Sequence, residues 1–173
     1  TVKIVATYEE GEVIITAMRQ DITPDAATIM STPCNPLSDE CSGLFNNTAN
    51  SDGNTTGDGG AIYSNGRNLT VSQTYLHHNA AYRGGAIFQI SAASVANVTN
   101  CLIHHNSVTM PFGAGIRSSE CIFNIYHTTL ADNVGGSGFS GQANIAYNSI
   151  AWGNAEVGFS VAPVESACNI DDG

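Results

Sequence analysis

Positive charge is the scarcest property of this 173-residue chain. One lysine and four arginines face fifteen acidic residues, so the formal net charge at neutral pH is −10. Charged residues make up only 12% of the chain, about half of the usual share. An acidic surface repels phosphate groups, so this composition argues against nucleic acid and anionic lipid as partners.

Long hydrophobic runs are also missing. No apolar stretch approaches the roughly 18 residues of a membrane-spanning helix, so we expect no direct membrane insertion. The sequence begins Thr1-Val2-Lys3-Ile4 without the apolar segment of a signal peptide, which a mature or excised sequence would explain. There is no Cys-x-x-Cys pair, which disfavours a zinc ribbon. A length of 173 residues and 42% apolar residues predict a single domain with its own core.

A short phrase ending on asparagine recurs along the chain. Clear copies are Leu76-His77-His78-Asn79, Ile103-His104-His105-Asn106 and Leu130-Ala131-Asp132-Asn133, with weaker copies at 44–47 and 151–154. The closing residues are Asn47, Asn79, Asn106, Asn133 and Asn154, at spacings of 32, 27, 27 and 21 residues. A repeat of this length predicts a stacked architecture.

When the copies are aligned on their asparagines, apolar residues fall in columns two residues apart, which is the spacing of side chains on one face of a strand. The column three residues before the asparagine contains Leu44, Leu76, Ile103, Leu130 and Ala151, and the column eight before contains Val71, Val98, Ile125 and Ala146. The column ten before reads Leu69, Ala96, Phe123 and Asn144, and small residues stand five before. A polar column of Gln73, Asn100, His127 and Asn148 breaks the alternation, which predicts a bend between two short strands.

A glycine motif follows each of three asparagines and is followed in turn by Ile. It comprises Gly59 and Gly60, Gly84 and Gly85, and Gly113 and Gly115. Glycine permits a tight corner with positive φ, so we expect a third strand to begin after each motif. Each repeat is therefore predicted to contain three short strands and three corners, and no run with helical periodicity lasts ten residues.

The alternation of Gly-Gly-Ala-Ile with a hydrophobe-x-x-Asn phrase resembles the repeats of bacterial polymorphic outer-membrane proteins. More broadly, it resembles right-handed parallel β-helix surface proteins with a pectate-lyase-like fold. The resemblance covers roughly residues 44–154, although Leu or Ile stands where that family favours Phe. It implies an all-β chain, a right-handed single-stranded parallel β-helix (a solenoid) of about five to seven coils. Such folds carry adhesins, lyases, hydrolases and tailspikes alike, so function must be argued from the residues.

The first 33 residues do not fit the repeat. We expect an N-terminal cap or a first irregular coil there, with a hairpin around Glu9-Glu10-Gly11, and β-helix repeats over residues 34–173. The segment Asn50–Asp58 is an insertion, predicted to be a protruding loop. The asparagines are assigned a structural role, because asparagine tolerates left-handed backbone and stacked amides form a hydrogen-bonded ladder.

Five cysteines, scarce lysine and abundant Asn and Thr favour an oxidising, extracellular or cell-surface location. Cys34 and Cys41 flank a short turn and are candidates for a local disulfide. Cys101 and Cys121 are a second candidate pair, with a buried free thiol at Cys101 as the alternative. Four Asn-x-Ser/Thr sequons give possible glycosylation sites at Asn46, Asn54, Asn68 and Asn97.

The histidines suggest one possible metal site. His77-His78 and His104-His105 are one repeat apart, so their rings should stack at about 5 Å. His78 and His105, with Asp132 in the next copy, are the candidate ligands of a divalent metal. The alternative is that they are polar corner residues of a repeated phrase, and we predict no cofactor beyond that possibility.

Catalytic chemistry is poorly supported. No two acids share a column in neighbouring repeats, so the paired carboxylates of a glycosidase are not predicted. Asp52 and Asp58 only faintly resemble a calcium loop. The three arginines beside the glycine corners, which a lyase would use for charge stabilisation, occupy different columns. They are Arg67, Arg83 and Arg117.

Aromatic residues are the best candidates for a contact surface. Trp152 shares an outward column with Phe45, His77 and His104. Tyr63, Tyr82, Tyr126 and Tyr147 would add to a sugar-stacking strip if they also face outward.

We therefore predict a non-catalytic extracellular module, structural and adhesin-like. One alternative is a subunit that stacks end to end, with copies of itself or adjoining repeats, into a filament. A second is a carbohydrate-binding or polysaccharide-degrading β-helix. The expected partners are further repeats or copies and possibly a host-surface protein or glycan.

Overall fold

The computed structural model describes residues 7–9, 12–14, 27–30, 43–49, 57–66, 68–141 and 143–171. This part of the chain is all-β, with 21 short strands and no helix. Apart from one antiparallel pair, every strand pairs in parallel with the equivalent strand of a neighbouring repeat. The prediction of an all-β chain of stacked parallel strands is therefore confirmed.

Four parallel sheets run along the stack. Sheet 1 contains β6 (Ile62–Asn65), β10 (Ile87–Ile90), β14 (Ile116–Ser119) and β17 (Phe139–Ser140). Sheet 2 contains β3 (Ala27–Met30), β7 (Leu69–Ser72), β11 (Val95–Thr99), β15 (Ile122–Tyr126), β18 (Ala143–Tyr147) and β20 (Glu165–Ala167). Sheet 3 contains β4 (Gly43–Phe45), β8 (Tyr75–His77), β12 (Leu102–His104), β16 (Thr129–Ala131), β19 (Ile150–Trp152) and β21 (Ile170–Asp171). Sheet 4 contains β5 (Thr48–Ala49), β9 (Ala80–Ala81) and β13 (Ser107–Val108).

The register of these sheets confirms the predicted columns. Leu76 pairs with Leu44 and Ile103, and Ile103 pairs in turn with Leu130. The second column, of Val71, Val98 and Ile125, is likewise in register across sheet 2. All seven of these side chains are buried. Because alternate residues of a strand share a face, the apolar columns fill the interior of the stack.

One predicted column is wrong at its end. Phe123 pairs with Ala143, not with Asn144, and the register shifts between Phe123 and Asn124. The last repeat thus has one extra residue opposite Phe123, as in a β-bulge. Counting back from Asn154 gave the wrong residue because the count assumes that no residue is inserted.

The bends are made by left-handed residues. The predicted bend column has φ values of 49–54° at Gln73, Asn100, His127 and Asn148. At the second bend the positive φ belongs to the residue before each ladder asparagine, not to the asparagine as we expected. These residues are Asn46, His78, His105, Asp132 and Gly153, with φ of 51–65°. The asparagine side chain then points inward, and Nδ2 of Asn47 and of Asn106 also donates to the carbonyl oxygen two residues earlier.

The glycine corners serve two purposes. Gly84 has φ of +63°, as do its equivalents Gly59 and Gly113 with +68° and +58°. Gly85 is required for close approach, because a Cβ there would meet the carbonyl oxygen of Ala114 at 2.2 Å. A Cβ at Gly60 or Gly115 would likewise overlap a carbonyl oxygen of a neighbouring repeat, at 2.1 and 2.6 Å. The predicted third strand follows each motif as β6, β10 and β14.

The N-terminal segment contains two kinds of structure. Strands β1 (Thr7–Glu9) and β2 (Glu12–Ile14) form an antiparallel hairpin in which Glu9 faces Glu12, as predicted. Strand β3, however, pairs in parallel with β7 and is the first strand of sheet 2. The division into a cap or first irregular coil over residues 1–33 and repeats over 34–173 stays a prediction.

The second predicted disulfide is wrong. Cys101 and Cys121 are both buried free thiols. Cys101 lies at the bend between sheets 2 and 3, where it donates to the carbonyl oxygen of Thr99. Cys121 lies at the corner before β15 and donates to Ser119. The two thiols are therefore in different corners of the stack. Cys34 and Cys41 lie outside the described residues.

Candidate contact surface and histidine cluster

A ladder of five asparagines runs through the interior. Each Nδ2 donates to the Oδ1 of the next asparagine at 2.9–3.0 Å, from Asn47 through to Asn154. The same Oδ1 atoms also accept backbone N–H groups, as in Asn79 N to Asn106 Oδ1 at 3.0 Å. The ladder predicted from the sequence is thus confirmed. Its members are Asn47, Asn79, Asn106, Asn133 and Asn154.

The ladder also satisfies the main chain. Asn106 donates from Nδ2 to the carbonyl oxygens of Leu76 and His104 at 2.9 and 3.1 Å. Asn79 and Asn133 make equivalent bonds to Leu44 and Ile103. Buried backbone carbonyls without a partner would cost stability. The ladder therefore stabilises the fold, and it leaves these amides committed to structural bonds.

Four histidines form a cluster at the carboxyl ends of β8 and β12. In one tier the Nδ1 atoms of His77 and His78 are 2.8 Å apart, and in the next those of His104 and His105 are 2.7 Å apart. Between tiers the rings stack, with centroids 5.1 Å apart for His77 and His104 and 5.3 Å for His78 and His105. We name these four residues the histidine cluster. The predicted stacking at about 5 Å is confirmed.

The two rings of a tier meet because of the backbone at the second residue. Neighbouring residues of a strand point to opposite faces, but His78 and His105 have φ of 55° and 53° and so turn back toward their predecessors. The rings of each tier lie almost perpendicular, at 85° and 87°.

His104 is the electrostatically perturbed member of the cluster. Burial, followed by repulsion from His77, His105 and His78, lowers its pKa to about 4 from the ordinary 6.5, and Asp132 opposes this. The imidazole is therefore neutral at physiological pH, which leaves a nitrogen lone pair for a hydrogen bond or a metal.

The candidate triad of His78, His105 and Asp132 does not form a metal site. Within the described residues, no group of three or more His, Cys, Asp or Glu side chains is placed to hold one ion. Asp132 follows His105 in the same left-handed column, but its carboxylate lies toward Gly153 of the next repeat. The nitrogens that do come together are within each tier.

The outward face of sheet 3 carries the predicted aromatic column. Phe45 stacks on His77 at 5.0 Å between ring centroids, and the register continues through His104 and Ala131 to Trp152. Trp152 is 58% exposed, and Ile150 on the same strand is 39% exposed. We name Phe45, His77, His104, Ile150 and Trp152 the sheet 3 face.

Three of the tyrosines suggested for the strip lie on other sheets. Tyr126 and Tyr147 are in-register partners on sheet 2, with ring centroids 6.2 Å apart. Tyr63 stacks on Phe88 at 5.7 Å on sheet 1. Together with Trp152 on sheet 3, the single sugar-stacking strip suggested by the sequence is thus divided among three sheets.

The arginines have structural partners. Arg83 binds Asp58 through two hydrogen bonds of 2.9 and 2.6 Å, and this bonding raises the pKa of Arg83. Arg117 donates to Ser140 Oγ at 2.9 Å, and burial lowers its pKa. Asp58 is therefore engaged by an arginine of the neighbouring repeat. Asp52 and Arg67 lie outside the described residues.

The acceptor sequons differ in their surroundings. Asn46 and Asn68 are exposed, whereas Asn97 is half-buried and its Oδ1 accepts from Asn124 at 3.0 Å. Asn54, with most of the predicted insertion loop, lies outside the described residues.

Comparison of the chain with protein-family models, with curated proteins and with solved structures found no match. Among the described residues, none forms a helix long and apolar enough to cross a membrane.

Proposed function

We propose that this chain is a non-catalytic extracellular module, adhesin-like, built as a right-handed parallel β-helix that holds a contact surface in place. The proposal rests on the sheet 3 face, whose exposed side chains stand on strands of the repeats that the asparagine ladder joins. Trp152 is more than half exposed, and its strand is hydrogen-bonded in register to the laddered repeats. Exposed aromatic side chains on a rigid frame are suited to binding, because little conformational entropy is lost.

The polar interior supports a structural role. The inward polar residues of the bends and of the ladder are engaged in hydrogen bonds between repeats, as for the Cys101 N–H, which donates to Thr128 Oγ1 at 3.3 Å. Carboxylates of the later repeats also have structural partners. Glu156 accepts from Ser137 and Glu165 accepts from Tyr147, both at 3.2 Å.

Intrinsic fluorescence offers a direct test, since Trp152 is the single tryptophan. Titration with a panel of neutral and acidic polysaccharides and with candidate surface proteins should shift or quench its emission for at least one ligand class. Calorimetry should then show at least a tenfold loss of affinity in Trp152→Ala, because buried aromatic anchors dominate interfaces. Ile122→Ala, at an exposed position on sheet 2, is the matched control and should bind normally.

The same panel tests catalysis. Incubation with the polysaccharides should release no unsaturated or reducing ends. Cleavage of any of them would replace this proposal with the carbohydrate-active alternative.

Self-assembly is a second candidate. Strands β20 and β21 each pair with only one neighbour among the described strands. The same repeat exposes Val161, Val164 and Ile170 at 53–68%. Unpaired strand edges template further pairing, so a second copy stacked here would extend sheets 2 and 3. Electron microscopy should then show fibres that Ile170→Lys abolishes, and a strictly monomeric sedimentation profile at high concentration would rule this out.

A further inference from the structure

The histidine cluster has a geometry that a repeated corner phrase does not require. Both tiers bring two Nδ1 atoms to 2.7–2.8 Å, although the four residues are otherwise solvent-facing and the next repeat has Ala131 and Asp132 instead. Pairs of nitrogen donors at such a separation are the elements of a metal chelate.

The distance between the two Nδ1 atoms of a tier distinguishes between coordination geometries. With metal–nitrogen bonds of about 2.0–2.1 Å, two nitrogens at right angles lie about 2.8–3.0 Å apart, and two at the tetrahedral angle lie about 3.3–3.4 Å apart. The observed 2.7–2.8 Å is at or slightly below the right-angle separation and well below the tetrahedral one, so it is closer to the geometry of a tetragonal ion. Copper(II) prefers that geometry and binds nitrogen ligands most tightly among the divalent first-row metals.

The two nitrogens of a tier are closer together than the tiers themselves. The Nδ1 atoms of a tier are 2.8 or 2.7 Å apart, whereas the rings of neighbouring tiers stack at centroid distances of 5.1 and 5.3 Å. We propose that each His-His tier is a separate two-nitrogen chelate and that the cluster binds two copper(II) ions about one repeat apart. Solvent would complete each coordination sphere.

Charge favours cations at this place. The net charge of the chain is −10, and Asp132 stands one repeat beyond His105 in the same left-handed column. A carboxylate beside the second tier would offset part of the charge of a bound ion. The tier of His104 and His105 should therefore bind the first copper.

Copper binding leaves the number of protons on each histidine pair unchanged. In each neutral pair one Nδ1 carries the hydrogen of the Nδ1···Nδ1 bond and the other accepts it. On metal binding, that hydrogen moves by exchange with water to Nε2 of the same ring, and both Nδ1 lone pairs then bind copper. No net proton is released at a pH where all four rings are neutral.

The test is a titration of the intact chain with copper(II), after accessible thiols have been blocked with N-ethylmaleimide. Electron paramagnetic resonance should show nitrogen hyperfine structure from the first equivalent. The second equivalent should add dipolar broadening and a half-field transition, because the ions are close together. Two equivalents should remain bound against a modest excess of glycine.

Two substitutions separate the tiers. His78→Asn and His105→Asn should each reduce the stoichiometry to one copper and abolish the dipolar signal. Asparagine suits these positions, because Asn46 occupies the same left-handed column. His127→Asn is the matched control, an exposed left-handed histidine in a different column, and it should still bind two. If circular dichroism shows that an Asn variant does not fold, His77→Phe is used in its place, because Phe45 already stacks in that column.

Four outcomes would overturn the proposal. Wild-type protein that retains no copper against glycine shows that the nitrogen pairs are hydrogen bonds only. A single ion lost from both single variants shows one shared site. Equal loss in His127→Asn shows non-specific histidine binding. Displacement of the copper by equimolar zinc would contradict the tetragonal geometry.

Discussion

At the residue scale, the left-handed positions determine which side chains meet. His78 and Cys168 both have φ of 55°, although neither is a glycine. Such residues are uncommon and cost conformational energy. In this chain they recur at equivalent places in successive repeats, where hydrogen bonds of the parallel ladders hold them.

Gly85 illustrates a second constraint at this scale. Gly85→Ala should destabilise the fold by about 3 kcal/mol, because the new Cβ would overlap backbone oxygens of Ala114 and Ser107 that cannot move independently. Gly66→Ala is the control: its φ is +73° but no atom lies within 4 Å, so only the conformational cost of about 1 kcal/mol applies. Urea unfolding of both variants measures the difference, and equal losses would show that contact is not the constraint at Gly85.

His104 makes stability depend on pH. Its pKa falls to about 4 in the folded chain, below the ordinary 6.5, mainly because of burial. Between about pH 6.5 and 4 the unfolded chain therefore binds a proton that the folded chain does not, and stability decreases as the pH falls through this window. His104→Phe should flatten the profile there, with Phe45 showing that a phenyl ring fits the column.

The measurement is the pH dependence of the unfolding free energy of wild type and of His104→Phe. A slope unchanged in His104→Phe would mean that other groups cause the dependence.

At the element scale, the ladder is the feature that the sequence revealed most directly. Columns of Leu76 and its equivalents could be read because the apolar period and the asparagine fall at fixed offsets. Sheet 4 could not be predicted, since a strand of two residues such as Ala80–Ala81 has no period. The paired nitrogens of the histidine cluster were missed for another reason. They depend on the φ of His78, whereas the sequence had suggested that the asparagine would be left-handed.

Asn106→Ala tests the ladder. Removal of the Asn106 amide would leave the buried backbone N–H and Nδ2 of Asn79 and the carbonyl oxygen of Leu76 without their partner. Each unsatisfied buried group costs about 1–3 kcal/mol, so the total loss should reach about 3–5 kcal/mol. Asn100→Ala, at an exposed bend position, should lose only about 1 kcal/mol. Thermal and urea unfolding would show this ranking, and comparable losses would indicate that the ladder adds no stability.

At the scale of the whole molecule, the structure is a series of nearly equivalent layers. Within the described ranges, sheets 2 and 3 each contain six strands. Most contacts join neighbouring repeats, as in other repeat proteins whose stability is a sum of repeat and interface terms. The same regularity made the architecture predictable, whereas the partner depends on individual exposed residues that the repeat does not specify.

Removal of one complete repeat tests this view. Deletion of residues 80–106 joins Asn79 to Ser107 and keeps every column in register, so the shortened chain should fold with a lower unfolding free energy. Deletion of residues 75–100 instead joins Thr74 to Cys101 and adds one residue between the bend column and the ladder asparagine, which exchanges inward and outward faces there. That second chain should not fold cooperatively. Circular dichroism with urea unfolding distinguishes them, and similar behaviour of the two chains would refute a layered structure fixed by register.

The unequal repeat lengths indicate where the chain can accept insertions. Between the ladder asparagine and sheet 1 the chain takes very different lengths, from residues 47 to 62 in one repeat to residues 133 to 139 in another. From sheet 2 to the ladder the spacing varies by only one residue. Insertions of new sequence should therefore be tolerated at that one corner. A foreign epitope grafted there would be displayed along a single border of the molecule, while the hydrogen-bonded amides inside remain undisturbed.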